Sequence, residues 1–299
     1  METLSAFDRR FPTEESCKDF LAAQRWLDGV RCPRCNRKEK VYAIKPYQWR
    51  CRNADCGGRN GYKFSVITHT IFQDTKIELK LWFRIAYFIL TAKKGMSALQ
   101  VHRVVFGEDS GHDYRTTWYI CQRWRAAMKG DVMPLTGEVE VDETFVGGKA
   151  HNMHASRRKA LALTGTKNKI AVIGAIARKG MIVAKVIENT DTAKLDKFVR
   201  QTVSKDVKLV ATDEHSEYRL LGADMNHHVV RHSAGEYVVG TTHTNTIEGF
   251  WSLFKRGIIG SYHKVSKEYL PLYVNEFAWR LNNRKNSNAF ADLIATCSN

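Results

Sequence analysis

Two closely spaced pairs of cysteines constrain the N-terminal part of this chain more than any other feature. Cys32 and Cys35 are separated by two residues, and Cys51 and Cys56 follow after an insert of β-hairpin length. Thiolates on two short turns can close a tetrahedral Zn²⁺ site, and in so small a module the metal replaces a hydrophobic core. The pattern predicts a zinc ribbon over residues 29–72 with one structural zinc ion. Coincidental free cysteines and a redox CxxC motif are the alternatives, and the second pair argues against the redox motif.

The charge balance favours nucleic acid as the partner. The 299 residues include 47 Lys and Arg against 31 Asp and Glu, which gives a formal charge of +16. So large an excess favours a polyanionic partner, although a merely basic globular protein is the alternative. The length allows two or three domains, and a hydrophobic content of 43% supports ordinary globular cores.

The sequence gives no sign of a membrane span or of export. No segment approaches the roughly 18 consecutive apolar residues that a transmembrane helix requires. The N-terminus begins with Met1 and Glu2 and has no basic region followed by an apolar run. Seven cysteines, an odd number, argue against a secreted disulfide framework. We expect a cytoplasmic protein without membrane partners, associated with the nucleoid if the source is prokaryotic.

Helical patterns lie on both sides of the predicted ribbon. Residues 1–28 contain a polar lead and a helix, and residues 73–130 contain several helices, one of them capped by Ser97. The later helices resemble a helix-turn-helix arrangement, with a plain helical bundle as the alternative. Three basic residues edge the last of these helices and are predicted to bind DNA: Arg115, Arg123 and Arg125.

The pattern changes to strands in the final predicted domain, residues 131–299. Three strands, a helix, a fourth strand and another helix follow in order, with Asp142 on the first strand and Asp213 at the end of the fourth. This order resembles a ribonuclease-H-like fold, an α/β core with a mixed five-stranded sheet. In that fold the first and fourth strands are adjacent, so the resemblance implies that the two carboxylates meet.

A third carboxylate lies on a predicted helix. Glu248 follows Asp213 by 35 positions, and Lys255 follows Glu248 by seven, which is nearly two helical turns. Hard divalent cations such as Mg²⁺ need oxygen ligands, and two such ions can clamp both the attacking and the leaving oxygens of a phosphodiester. The three acids suggest a polynucleotidyl transferase. The alternative is that they are ordinary surface acids.

Taken with their contexts, these motifs resemble a known family. The chain is similar to insertion-sequence DDE transposases that carry an N-terminal zinc ribbon and an ISXO-like catalytic domain. The resemblance rests on the four cysteines and on three further segments: Val141–Lys149 (VDETFVGGK), Thr212-Asp213 and His243–Arg256 (HTNTIEGFWSLFKR). It spans nearly the whole chain, and the last of these segments is the most specific.

The resemblance implies a catalytic function and its residues. Two catalytic Mg²⁺ ions, replaceable by Mn²⁺, would be held by Asp142 and Asp213 together, with Glu248 binding one of them. Members of this group have Glu or Asn at the third position, and Asn245 would share a helix face with Glu248. Phosphate-positioning residues would be Lys255, Arg256 and Lys149. The implied partners are double-stranded DNA, both terminal inverted repeats and target, and further copies of the chain in a homodimer or higher oligomer.

Two rival functions and several neighbouring residues complete the expectations. The rivals are a noncatalytic zinc-ribbon regulator with a decayed nuclease core, and a nuclease or junction resolvase of the same fold. Glu140 and Glu143 flank Asp142 and are expected to point away from it, as supporting or solvated carboxylates. His215 and His243 are either phosphate contacts or ordinary surface histidines.

Overall fold

The computed structural model describes residues 2–130, 134–148, 154–156, 169–214, 216–230 and 243–298. The chain divides into two compact units. The first comprises Met1–Lys129 together with Lys285–Asn299, and the second comprises Gly130–Arg284. Within the described residues, no helix is long and apolar enough to span a membrane.

A three-stranded antiparallel sheet forms the ribbon of the first unit. Strands β1 (Val41–Lys45), β2 (Gln48–Cys51) and β3 (Tyr62–Ser65) lie in that order. Its small core contains buried cysteines and Phe64, against which Trp26 and Trp49 pack. So few apolar side chains cannot hold a fold alone, which is the situation in which a metal contributes most of the folding free energy.

Helices make up most of the rest of the first unit. They are α1 (Leu4–Arg10), α2 (Glu14–Arg25), α3 (Leu79–Thr91), α4 (Ala98–Val105), α5 (Tyr114–Ala127) and a C-terminal helix (Ala289–Thr296). The Ser97 hydroxyl caps α4 by accepting from the amide of Gln100, as predicted. An aromatic cluster joins α1 and α3 to the C-terminal helix, with Phe290 within 5.1 to 5.4 Å of Phe7, Phe11 and Phe83 between ring centroids.

The second unit is built on a mixed sheet of five strands. These are β4 (Glu138–Val146), β5 (Ile170–Ala177), β6 (Ile182–Ile187), β7 (Leu209–Asp213) and β8 (His227–Val230), arranged β6-β5-β4-β7-β8. β4 is antiparallel to β5 and parallel to β7, and β7 is parallel to β8. The first and fourth strands are therefore neighbours, and the predicted ribonuclease-H-like core is confirmed.

Helices cover both faces of this sheet. Helix α6 (Thr192–Thr202) packs on one face, where alternate β4 residues Val139 and Val141 point. Helices α7 (Asn245–Gly257) and α8 (Leu270–Asn282) pack on the other face, and Trp251 lies there. Because successive strand residues point to opposite faces, Glu140 and Asp142 belong to the α7 side of β4.

A glycine in β5 allows α7 to approach the sheet closely. Gly174 pairs with Asp142 across the β4–β5 ladder. A Cβ atom added at Gly174 would lie 2.8 Å from the Trp251 ring, closer than real Cβ contacts allow. The indole therefore rests directly on the backbone beside Asp142. This contact fixes the depth at which α7 sits over the sheet.

Candidate active site and zinc site

The four predicted cysteines converge. Their Sγ atoms all lie within 4.8 Å of one another, and the Cys32–Cys56 and Cys35–Cys51 separations are 3.7 and 3.8 Å. A tetrahedral site with Zn–S bonds of about 2.3 Å has edges of about 3.8 Å. The donor set and its spacing thus fit a coordinatively closed zinc ion.

A buried asparagine supports this site and was not singled out by the sequence. The Asn53 amide nitrogen lies 3.2 Å from Cys51 Sγ and 3.7 Å from Cys35 Sγ, and it also donates to the Glu39 carbonyl at 2.9 Å. Amide donors to ligand sulfurs stabilise thiolates and orient them. Its position between Cys51 and Cys56 is the sequence signal that could have indicated this role.

Two of the three predicted catalytic acids lie side by side. The parallel pairing of β4 with β7 aligns Glu140 with Ala211. Asp142 and Asp213 each lie two residues farther along their strands, at the same level of the sheet. Parallel strands thus bring together two acids that are 71 positions apart in sequence.

The electrostatics of Asp142 report this proximity. Burial first, and then the charges of Glu143, Asp213 and Glu248, raise the pKa of the Asp142 carboxyl to about 7, against a lowering hydrogen bond from the Glu143 amide. That hydrogen bond to Oδ1 is 2.8 Å long. Like charges that disfavour ionisation must lie close to one another. Glu248 therefore belongs to the same negatively charged cluster.

The carboxylate cluster is more open than the cysteine site. Among the residues that the structure describes, only the four cysteines place all their ligand atoms within 4.8 Å of one another. Asp142, Asp213 and Glu248 nevertheless offer only oxygen donors, and their mutual repulsion would be relieved by a cation. This donor chemistry fits hard divalent ions such as Mg²⁺.

Helix α7 presents a polar stripe. Asn245, Glu248, Ser252 and Lys255 are exposed, whereas Trp251 is buried. The Glu248 carboxylate accepts a 2.8 Å hydrogen bond from the hydroxyl of the N-cap residue Thr244. Asn245 and Glu248 are three residues apart and lie on one face of the helix. Either side chain could therefore face the same bound metal ion.

The prediction that Glu140 points away from Asp142 is wrong, and so is its alternative as a solvated carboxylate. Its other alternative, a supporting carboxylate, stays a prediction. Residues two apart on a strand share a face, so Glu140 points to the same side as Asp142. Its side chain is 0% exposed. It accepts hydrogen bonds from α7 and from Arg178, whose Nε lies 2.9 Å from Oε1.

Glu143 points to the opposite face of β4, as expected from alternation. Its Oε2 accepts a 2.5 Å hydrogen bond from the hydroxyl of Tyr218. Burial, followed by the charge of Glu143, raises the pKa of Tyr218 well above its ordinary value. The tyrosine therefore remains a neutral donor beside the acidic cluster, a role that its sequence context did not indicate.

The predicted basic residues have different surroundings. Arg115 is exposed on the first turn of α5. The Arg123 guanidinium donates to the carbonyl of Ile71 from Nε at 3.1 Å and from Nη2 at 3.0 Å. These two donors are therefore already used within the protein. The prediction that Arg125 contacts DNA is wrong, because its side chain is 1% exposed and no phosphate can reach it.

The two cations in the last turn of α7 are accessible. Lys255 and Arg256 are exposed, and Arg256 Nε donates to the Ser252 carbonyl at 3.2 Å. The imidazole Nδ1 of His243 lies 3.1 Å from Glu140 Oε1. Lys149 and His215, also named as candidates, lie outside the described residues.

Comparisons with known proteins agree with the geometry. Residues 134–282 match the ISXO2-like transposase domain, and residues 12–59 match the transposase zinc-ribbon domain. The chain is 28% identical over 286 residues to an uncharacterized protein in transposable element ISH50 of Halobacterium salinarum, covering 91% of this chain and 92% of that protein. No solved structure matches. The chain belongs to the insertion-sequence transposases that combine a zinc ribbon with an ISXO2-like catalytic domain.

Proposed function

We propose that this protein cleaves DNA at the ends of its insertion sequence and joins the freed ends to target DNA. The observation that carries the proposal is the cluster of Asp142, Asp213 and Glu248 on a ribonuclease-H-like sheet. Burial and mutual repulsion keep the pKa of Asp142 at about 7. Such a cluster is costly unless cations neutralise it, and perturbed carboxylates of this kind are typical of functional sites.

The three acids are proposed to hold two Mg²⁺ ions, or Mn²⁺ in their place. Bound there, the ions would polarise the scissile phosphate and lower the pKa of the attacking hydroxyl. Asp142 and Asp213 lie on adjacent strands and would contribute to both positions. Glu248, held on α7, contributes to one.

Glu248 and Asn245 are the two candidates for the third metal ligand. Glu248 is favoured because it raises the pKa of Asp142 and therefore lies within range of it. Asn245 is exposed one turn earlier on the same face, and an amide oxygen also binds Mg²⁺. If Glu248 is the ligand, the substitution Glu248→Ala should abolish cleavage and Asn245→Ala should be milder. The opposite order would transfer the role to Asn245.

Lys255 and Arg256 are proposed to position DNA phosphates beside the acids. Both are exposed at the C-terminal end of α7, seven and eight residues after Glu248. An extended lysine carries a point charge to a single phosphate, whereas arginine can bind two phosphate oxygens at once. Lys149 is proposed for the same role from its place in the family motif alone.

DNA recognition is assigned to the first unit. The ribbon and the helices of residues 73–130 are proposed to bind the terminal inverted repeats, with Arg115 among the contacts. The +16 charge supports a double-stranded DNA substrate and target. Two transposon ends must be handled together, so a homodimer or higher oligomer on DNA is proposed. It would act in the cytoplasm, at the nucleoid if the source is prokaryotic.

One assay separates this proposal from its rivals. Purified protein is incubated with labelled DNA carrying a terminal repeat and flanking sequence, together with a supercoiled target plasmid and Mg²⁺. A transposase yields cleaved ends and joined products, and a nuclease or resolvase yields cuts alone. A noncatalytic regulator shifts the DNA in a gel but leaves it intact, which would overturn the proposal.

A further inference from the structure

We propose that Glu140 is a positioning residue that clamps helix α7 onto the catalytic strand and so sets where Glu248 stands relative to Asp142. This inference rests on the proposed function, because it concerns the same carboxylate site. Glu140 itself is fully buried, and both of its carboxylate oxygens accept hydrogen bonds from the protein. Its effect is transmitted through the helix that it holds.

The start of α7 lacks its usual cap. The leading amides of any helix have no partner within the helix, and an N-cap side chain normally accepts from one of them. Here the N-cap residue, Thr244, makes no such hydrogen bond. Its hydroxyl donates to Glu248 Oε1 instead. The start of α7 thus needs an acceptor from another part of the chain.

Glu140 is that acceptor. Its Oε2 accepts from the amides of Thr246 at 2.8 Å and Ile247 at 3.0 Å, the second and third residues of α7. Its Oε1 accepts from the Thr246 hydroxyl at 2.8 Å. These donors follow the carboxylate by more than 100 positions in sequence. A carboxylate at this place also interacts favourably with the helix dipole.

The two ends of this clamp lie beside two of the proposed metal ligands. Glu140 precedes Asp142 by two residues on the same face of β4, and Glu248 directly follows the clamped amide of Ile247. The two proposed metal ligands are therefore tied together through Glu140. Trp251, seated on Gly174, fixes the next turn of the helix. The paired contacts leave α7 little freedom to slide or tilt over the acids.

Arg178 completes the clamp by compensating the buried charge. Its Nε donates to Glu140 Oε1 at 2.9 Å, and its Nη2 donates to the His243 carbonyl at 3.1 Å, just before α7. It also pairs with Glu138. A buried carboxylate is tolerated only with such partners, and one that satisfies several donors specifies a single geometry.

The strand offers a matched control for the test. Glu138 shares the face of Glu140 and the same arginine partner, and its other ion-pair partner is Lys208. The substitution Glu138→Gln removes an equal charge from the same strand. The hydrogen bonds between Glu140 and α7 remain in that variant. Both variants lose one negative charge on β4, but only Glu140→Gln alters the hydrogen bonds to α7. A difference between them therefore measures the effect of the clamp alone.

The experiment uses the full-length protein with two readouts. Hydrogen–deuterium exchange without added divalent cation should show the amides of Thr246 and Ile247 exchanging on the order of tenfold faster in Glu140→Gln than in the wild type or Glu138→Gln. Cleavage of terminal-repeat DNA, normalised to the active concentration from DNA-binding stoichiometry, should lose on the order of 10²-fold in kcat. The KM for that DNA should not change, because the clamp does not contact it.

Each outcome decides one claim. Protected amides and a cleavage rate equal to that of Glu138→Gln would overturn the clamp while leaving the proposed function intact. A wild-type protein that does not cleave overturns the proposed function, and the exchange data then still decide whether Glu140 holds α7. If Glu140→Gln does not unfold cooperatively, and so is not properly folded, Thr246→Val replaces it as the test. This variant removes only the hydroxyl donor to Glu140, so amide exchange should rise and kcat should fall by smaller factors than those expected for Glu140→Gln.

Discussion

At the scale of single residues, the structure separates acids that resemble one another in sequence. Glu140, Asp142 and Glu143 follow closely on β4, yet each has a different environment. Glu140 is buried and fully hydrogen-bonded, Asp142 joins the acidic cluster, and Glu143 accepts from Tyr218 on the other face. The strand's alternation and the elements packed on each face assign these roles.

The raised pKa of Asp142 predicts a pH dependence of stability. A carboxyl whose pKa is about 7 in the folded protein and near its ordinary value of 3.8 when unfolded binds more protons in the folded state between those values. Stability contributed by the protonated acid is fully present below about pH 4 and is lost as pH rises through about 7. Thermal unfolding without added Mg²⁺ should show wild type losing stability relative to Asp142→Asn over that range. Parallel curves for the two proteins would contradict this expectation.

The zinc ligands give a second prediction for single residues. The substitution Cys32→Ser should lose the zinc ion, because a closed site cannot replace one of its four ligands. Metal analysis should find about one Zn²⁺ per chain in the wild type and in Cys17→Ala, which alters a buried cysteine in α2 outside the site, and less in Cys32→Ser. Hydrogen exchange should rise in residues 29–60 while the five-stranded sheet stays protected. Unchanged zinc in Cys32→Ser would refute the site.

Several residue roles were accessible from sequence and others were not. Strand patterns located Asp142 and Asp213, and the cysteine spacing located the zinc ligands. The role of Glu140 depends on a helix that begins more than 100 positions later, so local alternation could not reveal it. Arg125 looked like part of a basic helix edge, but the packing around α5 buries it.

At the scale of elements, the docking of α7 depends on shape as much as on hydrogen bonds. The absence of a side chain at Gly174 lets the Trp251 indole rest on β5 beside Asp142. In β-strand interiors, glycine often marks such a close approach. Gly174 therefore contributes to the site without any chemical group of its own.

A methyl group at Gly174 should disturb this docking. The substitution Gly174→Ala would place Cβ 2.8 Å from the Trp251 ring, and overpacking of this kind costs about 1–3 kcal/mol. Denaturant unfolding should report that loss. Gly249→Ala is the matched control, because a Cβ there meets nothing within 4 Å and alanine is favoured in a helix. Equal stability of the two variants would contradict the close-contact interpretation.

The five strands of the sheet were expected from the resemblance, but the residues that form the last of them were not located. The strands β4 to β7 and helix α6 follow from their periodicity, but β8, with the sequence His-His-Val-Val, is short and carries no clear pattern. The C-terminal helix was also missed, because its stabilisation comes from aromatic contacts of Phe290 with α1 and α3. Long-range packing of this kind leaves no local signal.

At the scale of the whole molecule, charge and unit organisation bear on the proposed binding of DNA. The first unit combines the ribbon with helices that begin and end the chain, and the second unit carries the acids. The proposed catalytic acids are three residues of the second unit, whereas the formal excess of +16 belongs to the whole sequence. Affinity is therefore expected to come mainly from phosphate contacts, and chemistry from the local cluster.

Salt should weaken DNA binding steeply. The logarithm of the binding constant should fall linearly with the logarithm of salt concentration, with a slope of about −0.9 for each phosphate neutralised. If exposed Arg115 contacts one phosphate, Arg115→Ala should reduce the slope by about 1. Arg125→Met serves as the control, because Arg125 is buried and should leave the slope unchanged. Filter binding over a range of KCl concentrations measures both, and an unaltered slope in Arg115→Ala would remove it from the interface.

The most direct test of the central claim is cleavage by Asp142→Asn and Asp213→Asn. Each substitution keeps the size of the side chain but removes a charge from the proposed metal site, so cleavage and strand transfer should fall by at least ~10³-fold. Binding to terminal-repeat DNA should stay within about twofold of wild type, because the acids oppose rather than assist phosphate binding. Cleavage near the wild-type rate by Asp142→Asn would contradict the account, whatever the family and the fold.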